Sequence, residues 1–166
     1  QYEAKKYYAA AQLFEEVLPQ LRGKSNEASA HFYRAYCNFY EKQYVQSANR
    51  FKYFRKTFPL DPRLEEALYM QAQSLYLESP DSRLSQISTQ KAIPLFRSYL
   101  QRYPEGVYAE PAREQLEALT NTLALKDFSS AQLYYQLGHY RTAVVTLTNF
   151  QKDFPTSFYN EKAAYL

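Results

Sequence analysis

The chain holds one cysteine, three glycines and no tryptophan among its 166 residues. A single thiol, Cys37, excludes a disulfide within the chain and any multi-cysteine metal site. Scarce glycine leaves little material for β-turns or for loops that cradle phosphate. No apolar run approaches the length needed to cross a bilayer. A net charge of +3 is too small to argue for nucleic acid. The two histidines, His31 and His139, have no Cys, Asp or second His at ligand spacing, and both read as solvent or turn residues. Glu15-Glu16 and Glu65-Glu66 are adjacent in sequence, so neither pair shares a helix face as an acid/base couple would. They read as solvated charges. No nucleophile motif occurs, so neither an enzyme nor a cofactor is expected.

What the chain has is aromatic. It carries 18 Tyr and 11 Phe, with 46% of residues hydrophobic, enough for a core and far from the disordered regime. Tyrosine covers apolar surface and keeps a hydroxyl for a partner, which suits elements that are half core and half binding face. Cys37, among Tyr36, Phe39 and Tyr40 of a helical stretch, reads as a buried small hydrophobe.

These aromatics recur in a fixed pattern. Tyr44–Pro59 (YVQSANRFKYFRKTFP) places Ser47, Phe51, Phe54, Phe58 and Pro59 at helical spacing. Residues 89–104 repeat it with Ala92, Phe96, Tyr99, Tyr103 and Pro104. Residues 140–155 repeat it again with Ala143, Leu147, Phe150, Phe154 and Pro155. A pattern this regular predicts stacked helix pairs, a tetratricopeptide-repeat solenoid of antiparallel pairs in a right-handed, all-α superhelix. Small residues (Ala35, Ala72, Ala92, Ala131, Ala143) are expected at the helix crossings and large ones between neighbouring pairs.

Along the chain, residues 1–24 read as a degenerate partial repeat, with its helix over residues 2–21. Residues 26–59 form a full repeat, capped at Ser25 or Asn26. Residues 61–104 form another, with Asp61 as N-cap and Pro62 as first helical residue. A loop over 79–90 is expected to interrupt that repeat, its second helix starting near Gln90 so that Pro94 falls in a first turn. Residues 107–155 read as a long helix, unbroken from Pro111 to Leu137 and closed by Gly138, followed by a repeat. Residues 156–166 open a further unit. Because Gln1 and Leu166 both fall inside helical patterns, the chain is expected to be a segment of a longer protein.

The wide spacing of Pro59, Pro104 and Pro155, the helix ALYMQAQSLY (67–76), the Asp/Arg/Ser loop and the stretch YPEGVYAEPAREQLEALTNTLALKDFSSAQLYYQLGHYRTAV (103–144) together resemble the BamD family of outer-membrane assembly lipoproteins. The resemblance covers nearly the whole chain and is strongest from Glu66 to Pro155; residues 1–27 match loosely. The family's lipid-bearing cysteine lies upstream of such a segment, and Cys37 does not replace it. The resemblance implies a non-enzymatic scaffold on the periplasmic side of the outer membrane, held there by a lipid anchor outside this chain. The partners it implies are unfolded outer-membrane β-barrel proteins, the periplasmic domains of a BamA-like insertase, and other lipoproteins of the assembly machinery.

Two binding surfaces are expected. One is a groove on the concave side carrying Phe32, Tyr36 and Phe39 in one repeat and Tyr69, Gln73 and Tyr76 in the next, fitted to an extended peptide with aromatic ends. Core packing is the competing explanation of those rings. The second is a carboxy-terminal face of Lys152, Tyr159, Lys162 and Tyr165, fitted to a folded domain. Arg50, Lys52, Arg55 and Lys56 cluster on one helix, as a solvated outer face or as a site for an acidic partner. Two rival classes are a repeat adaptor or co-chaperone that clamps a peptide motif, and the regulatory repeat domain of a larger protein.

Overall fold

The computed structural model describes residues 6–165. The parts of the expected first and last units at residues 1–5 and 166 lie outside the described residues. Among the described residues the chain forms eight helices and no strand: α1 (Tyr7–Leu21), α2 (Glu27–Tyr40), α3 (Tyr44–Thr57), α4 (Leu64–Glu78), α5 (Ile87–Arg102), α6 (Ala109–Gln136), α7 (Tyr140–Asp153) and α8 (Asn160–Ala164). Each packs chiefly on the next in sequence, which is the all-helical solenoid of antiparallel pairs that the repeats imply.

The repeat is visible in the backbone. Phe58, Tyr103 and Phe154 end α3, α5 and α7 with φ of −120°, −131° and −128°. Each precedes a proline, which disfavours the helical conformation at that residue. Each aromatic still donates its N–H to the carbonyl four residues back, at 2.9, 2.7 and 2.8 Å. The connectors then coincide as well. Asp61, Gly106 and Ser157 donate to the Phe58, Tyr103 and Phe154 carbonyls, and each in turn accepts from the first residue of the following helix.

The tight turns agree too. Lys42 (φ 59°) and Gly138 (φ 77°) occupy the left-handed region at the ends of α2 and α6. The following residues, Gln43 and His139, each donate at 2.9 Å to a carbonyl five residues back, a Schellman closure.

Packing follows the small and large positions. Ala35, Ala72, Ala92 and Ala131 are fully buried and Ala143 is 1% exposed, so helices meet there with only a methyl between them. Phe51, Phe54, Phe96, Tyr99 and Phe150 fill the spaces between pairs and are buried. Truncating one such ring to alanine costs about 3–5 kcal/mol.

Two helix starts and one cap differ from the sequence expectation. The α4 helix begins at Leu64, not at Asp61-Pro62, because the Asp61 carboxylate takes the Arg63 amide (2.9 Å) and guanidinium (2.7 and 2.8 Å) and holds a turn. The inserted loop ends earlier than residue 90. The Gln86 side chain bonds the Asp81 and Leu84 carbonyls and accepts from the buried Thr89 hydroxyl, which starts α5 at Ile87. Pro94 therefore lies in the body of α5 rather than in its first turn. Asn26 stands at the N-cap of α2 but makes no side-chain cap; Glu27 reaches back instead to the Gly23 amide at 2.7 Å.

The 28-residue α6 is continuous, about 42 Å long at 1.5 Å per residue. It serves two cores. One contains Phe32 through Leu119, the other Ala124, Phe128, Ala131, Leu147, Phe150 and Ala163. Lys126 Nζ donates to the Leu84 carbonyl at 2.7 Å, so the inserted loop is tied to the middle of α6.

Candidate functional site

Of the expected groove residues, Phe32, Tyr36 and Phe39 lie on α2 and Tyr69, Gln73 and Tyr76 on α4, but not all are at the surface. Phe32 is 3% exposed: it meets Tyr36, Phe51 and Phe54 ring to ring, and the Arg63 guanidinium covers it at 4.8 Å. Tyr69 is 7% exposed, stacked on Tyr108 at 4.4 Å and edge-on to Phe96 and Tyr99. Both are core rings, which corrects the expectation that they line an open groove. The small crossing residues leave a space inside each pair that one first-helix ring must fill.

The remaining four stay half-buried. Tyr36 donates its hydroxyl to Glu66 Oε1, tying α2 to α4. Burial, and then that carboxylate, push the Tyr36 hydroxyl well above the usual tyrosine range. Tyr40, 47% exposed and missed in the sequence reading, stacks on Tyr36 at 5.9 Å and meets Phe39 edge-on. Gln73 accepts from the Tyr69 hydroxyl at 3.3 Å. Gln115 Oε1 is buried and has no partner in the protein. Tyr76 lies edge-on to Phe96 and lines a cavity of about 310 Å³ with Leu77, Pro80, Ala118, Leu119 and Thr122. Tyr36, Phe39 and Tyr40 thus form one ring cluster, and Tyr76 lines a separate cavity.

Glu65 and Glu66 are not the solvated pair that their adjacency suggested. Glu65 Oε1 accepts from the Tyr99 hydroxyl (2.7 Å) and the Val107 amide (3.0 Å), and Glu66 accepts from Tyr36. Tyrosine hydroxyls too distant in sequence for a local pattern to reveal are their partners.

At the other end, Tyr159, Lys162 and Tyr165 line one cavity of about 480 Å³, together with Leu125, Phe128, Ser129 and Gln132 of α6. Tyr159 stacks on Phe128 at 5.1 Å, and Lys162 Nζ lies 5.6 Å from the centre of the exposed Phe158 ring. Lys152 is exposed in the last turn of α7 and does not line that cavity. The α6 residues were missed because their helical spacing reads equally well as packing. Leu133, Leu137, Tyr140, Val144 and Val145, between 53% and 62% exposed, add apolar surface at the α6–α7 corner.

Among the described residues no group of His, Cys, Asp and Glu could hold a metal ion. The His31 ring packs at a tilt against Tyr53 at 5.0 Å, and burial lowers its pKa despite Glu27 at 4.0 Å. Cys37 is buried and its thiol is pushed up to about 11. No helix among the described residues is long and apolar enough to cross a membrane.

Stacked helix pairs, with rings, amides and lysines around shallow cavities, define a protein of the helical-repeat class. Within that class, the profile of the outer membrane lipoprotein family YfiO matches residues 1–166, and the chain belongs to that family. It is similar to the outer membrane protein assembly factor BamD of Rickettsia prowazekii, 22% identical over 163 residues, covering 98% of this chain and 65% of that protein. Over 109 residues it is 26% identical to the BamD of Caulobacter vibrioides, covering 66% of this chain and 36% of that protein. A 60-residue stretch is 37% identical to the BamD of Vibrio cholerae, covering 36% of this chain and 25% of that protein. The chain therefore spans from a quarter to about two thirds of the length of these relatives.

Proposed function

We propose that the chain is a non-enzymatic scaffold in the assembly of outer-membrane β-barrel proteins. In this reading it sits on the periplasmic face of the outer membrane, anchored by a lipid on a cysteine outside these residues. The amino-terminal groove holds an aromatic-ended, extended segment of an unfolded barrel protein. The carboxy-terminal face docks a folded periplasmic domain of the insertase, and other lipoproteins of the machinery join the same scaffold.

The observation that carries this reading is the difference between the two surfaces. Half-buried rings (Tyr36, Phe39, Tyr76) and the half-buried amide of Gln73 lie on α2 and α4. Rings can stack on aromatic side chains while amides bond an extended backbone. At the far end, exposed Lys152 and Lys162 accompany Tyr159, Tyr165 and Phe158, a mixture of cationic and aromatic anchors suited to a folded partner.

Titration with a peptide from the last strand of an outer-membrane barrel protein tests the division. Tyr36→Ala and Tyr76→Ala should weaken that peptide by about tenfold each, some 1.4 kcal/mol. Lys152→Glu should leave it unchanged. Wild-type affinity in both groove variants would refute the groove, and equal weakening by Lys152→Glu would refute the two-site division.

A further inference from the structure

On the side of the solenoid away from the aromatic groove, α1, α2 and α3 enclose a polar cleft that the proposed function does not use. Its main cavity, about 430 Å³, is lined by His31, Arg34, Gln46, Asn49, Arg50 and Tyr53. A second cavity of about 260 Å³ shares Arg34, Gln46 and Arg50 with it and extends to Glu15 on α1.

Arg34, Arg50, Glu15 and Glu41 all line the second cavity, and of these four only Arg34 and Glu15 form an ion pair. Arg34 is 8% exposed and pairs with the carboxylate of Glu15, whose own side chain is 68% exposed. Arg50 is half-buried and donates through Nε to Asn38 Oδ1 at 2.7 Å. No carboxylate among the described residues forms an ion pair with Arg50. Burial, and then the neighbouring Arg34, lower the Arg50 pKa, against the opposing effect of Glu15. A guanidinium whose Nε is already engaged keeps two Nη groups in the planar fork that matches a carboxylate. Burying a cation without such a partner is unfavourable, so an incoming carboxylate relieves an existing cost.

We propose that this cleft binds an acidic peptide segment of a partner protein, with a Glu or Asp carboxylate on the Arg50 fork. Gln46 and Asn49 are exposed and supply amides for the peptide backbone. Tyr53, 51% exposed and packed against His31, supplies an apolar wall. Glu15 already shows how a carboxylate sits on Arg34, and because it is exposed it can be displaced. This inference stands apart from the aromatic groove, and neither depends on the other.

The test uses the whole chain labelled for observation of arginine side chains by NMR. The probes are an acetylated, amidated hexapeptide with two adjacent glutamates, and its glutamine counterpart. The glutamate peptide should move the Arg50 Nε–H resonance and bind about tenfold more tightly than the glutamine peptide. Arg50→Gln should remove that preference. Glu15→Gln should strengthen binding, because it takes away the internal competitor for Arg34. Equal binding of the two peptides would overturn the proposal, as would weaker binding by Glu15→Gln. So would phosphatidylglycerol vesicles moving Arg50 where the peptide does not, which would make the cleft a membrane contact. If Arg50→Gln fails to fold, the two peptides on the unaltered chain and on Glu15→Gln decide the question.

Discussion

The Tyr99 hydroxyl donates to Glu65 Oε1 at 2.7 Å, and this pair also holds the connector that follows α5. Val107 N–H donates to the same Glu65 oxygen, and Tyr108 N–H donates to the Tyr99 hydroxyl, each at 3.0 Å. One bond between α4 and α5 thereby fixes where α6 departs.

Tyr99→Phe removes the hydroxyl and leaves a carboxylate oxygen and an amide short of a partner. The loss should be about 1–3 kcal/mol in urea-unfolding stability, with an unchanged m-value. Gly106→Ala should destabilise the same point, since a Cβ there would overlap Glu65 Oε1, the Tyr99 hydroxyl and Tyr103 Cβ.

Lys42 and Gly138 occupy equivalent turns with positive φ, yet only one is glycine. Lys42→Gly should stabilise the protein by about 1 kcal/mol by removing the left-handed penalty of a side chain. Gly138→Ala should destabilise it by a similar amount. Thermal melts of the two single variants, moving in opposite directions, check both.

His31 gives the stability a defined dependence on pH. Its folded pKa is depressed by burial and by Arg34 and Arg50, against the opposing effect of Glu27, with Tyr53 and Phe58 packed on the ring. The unfolded chain therefore binds a proton below about pH 6.5 that the folded chain does not. Stability contributed by the neutral ring is present above that pH and is lost as pH falls through the folded pKa. His31→Gln should flatten the fall that begins below about pH 6.5.

Continuity of α6 couples the two cores, since Leu119 belongs to one and Ala124 to the other. Leu123→Pro should break the helix at the cost of about 3 kcal/mol or more. Hydrogen exchange should then show the Ala131–Phe150 core opening independently of the Phe51–Tyr99 core. Uniform protection across both would contradict the role of α6 as the coupling strut.

The helix pairs and their crossings were legible in the sequence because small and large positions recur at fixed helical spacing. Ala35, Ala92 and Ala143 could be placed before any coordinate was known. Helix starts were less legible. Asp61 and Gln86 set them through side-chain bonds to a turn or loop, and such bonds leave no periodic trace. The candidate groove residues were also less legible: helical spacing alone does not separate rings of the core from rings at the surface. It could not show that Arg63 and Tyr108, from other elements, would seal in Phe32 and Tyr69. Glu65 and Glu66 were misread for the same reason, their tyrosine partners lying in other helices.

The most direct test of the scaffold reading is site-specific photo-crosslinking in a reconstituted assembly reaction. A photoreactive phenylalanine analogue would replace Tyr76 in the groove or Tyr165 at the carboxy-terminal face. The account predicts that the Tyr76 position captures the unfolded barrel protein and the Tyr165 position captures the folded periplasmic domain of the insertase. Capture of the same partner at both positions, or of the barrel protein at Tyr165 alone, would contradict it.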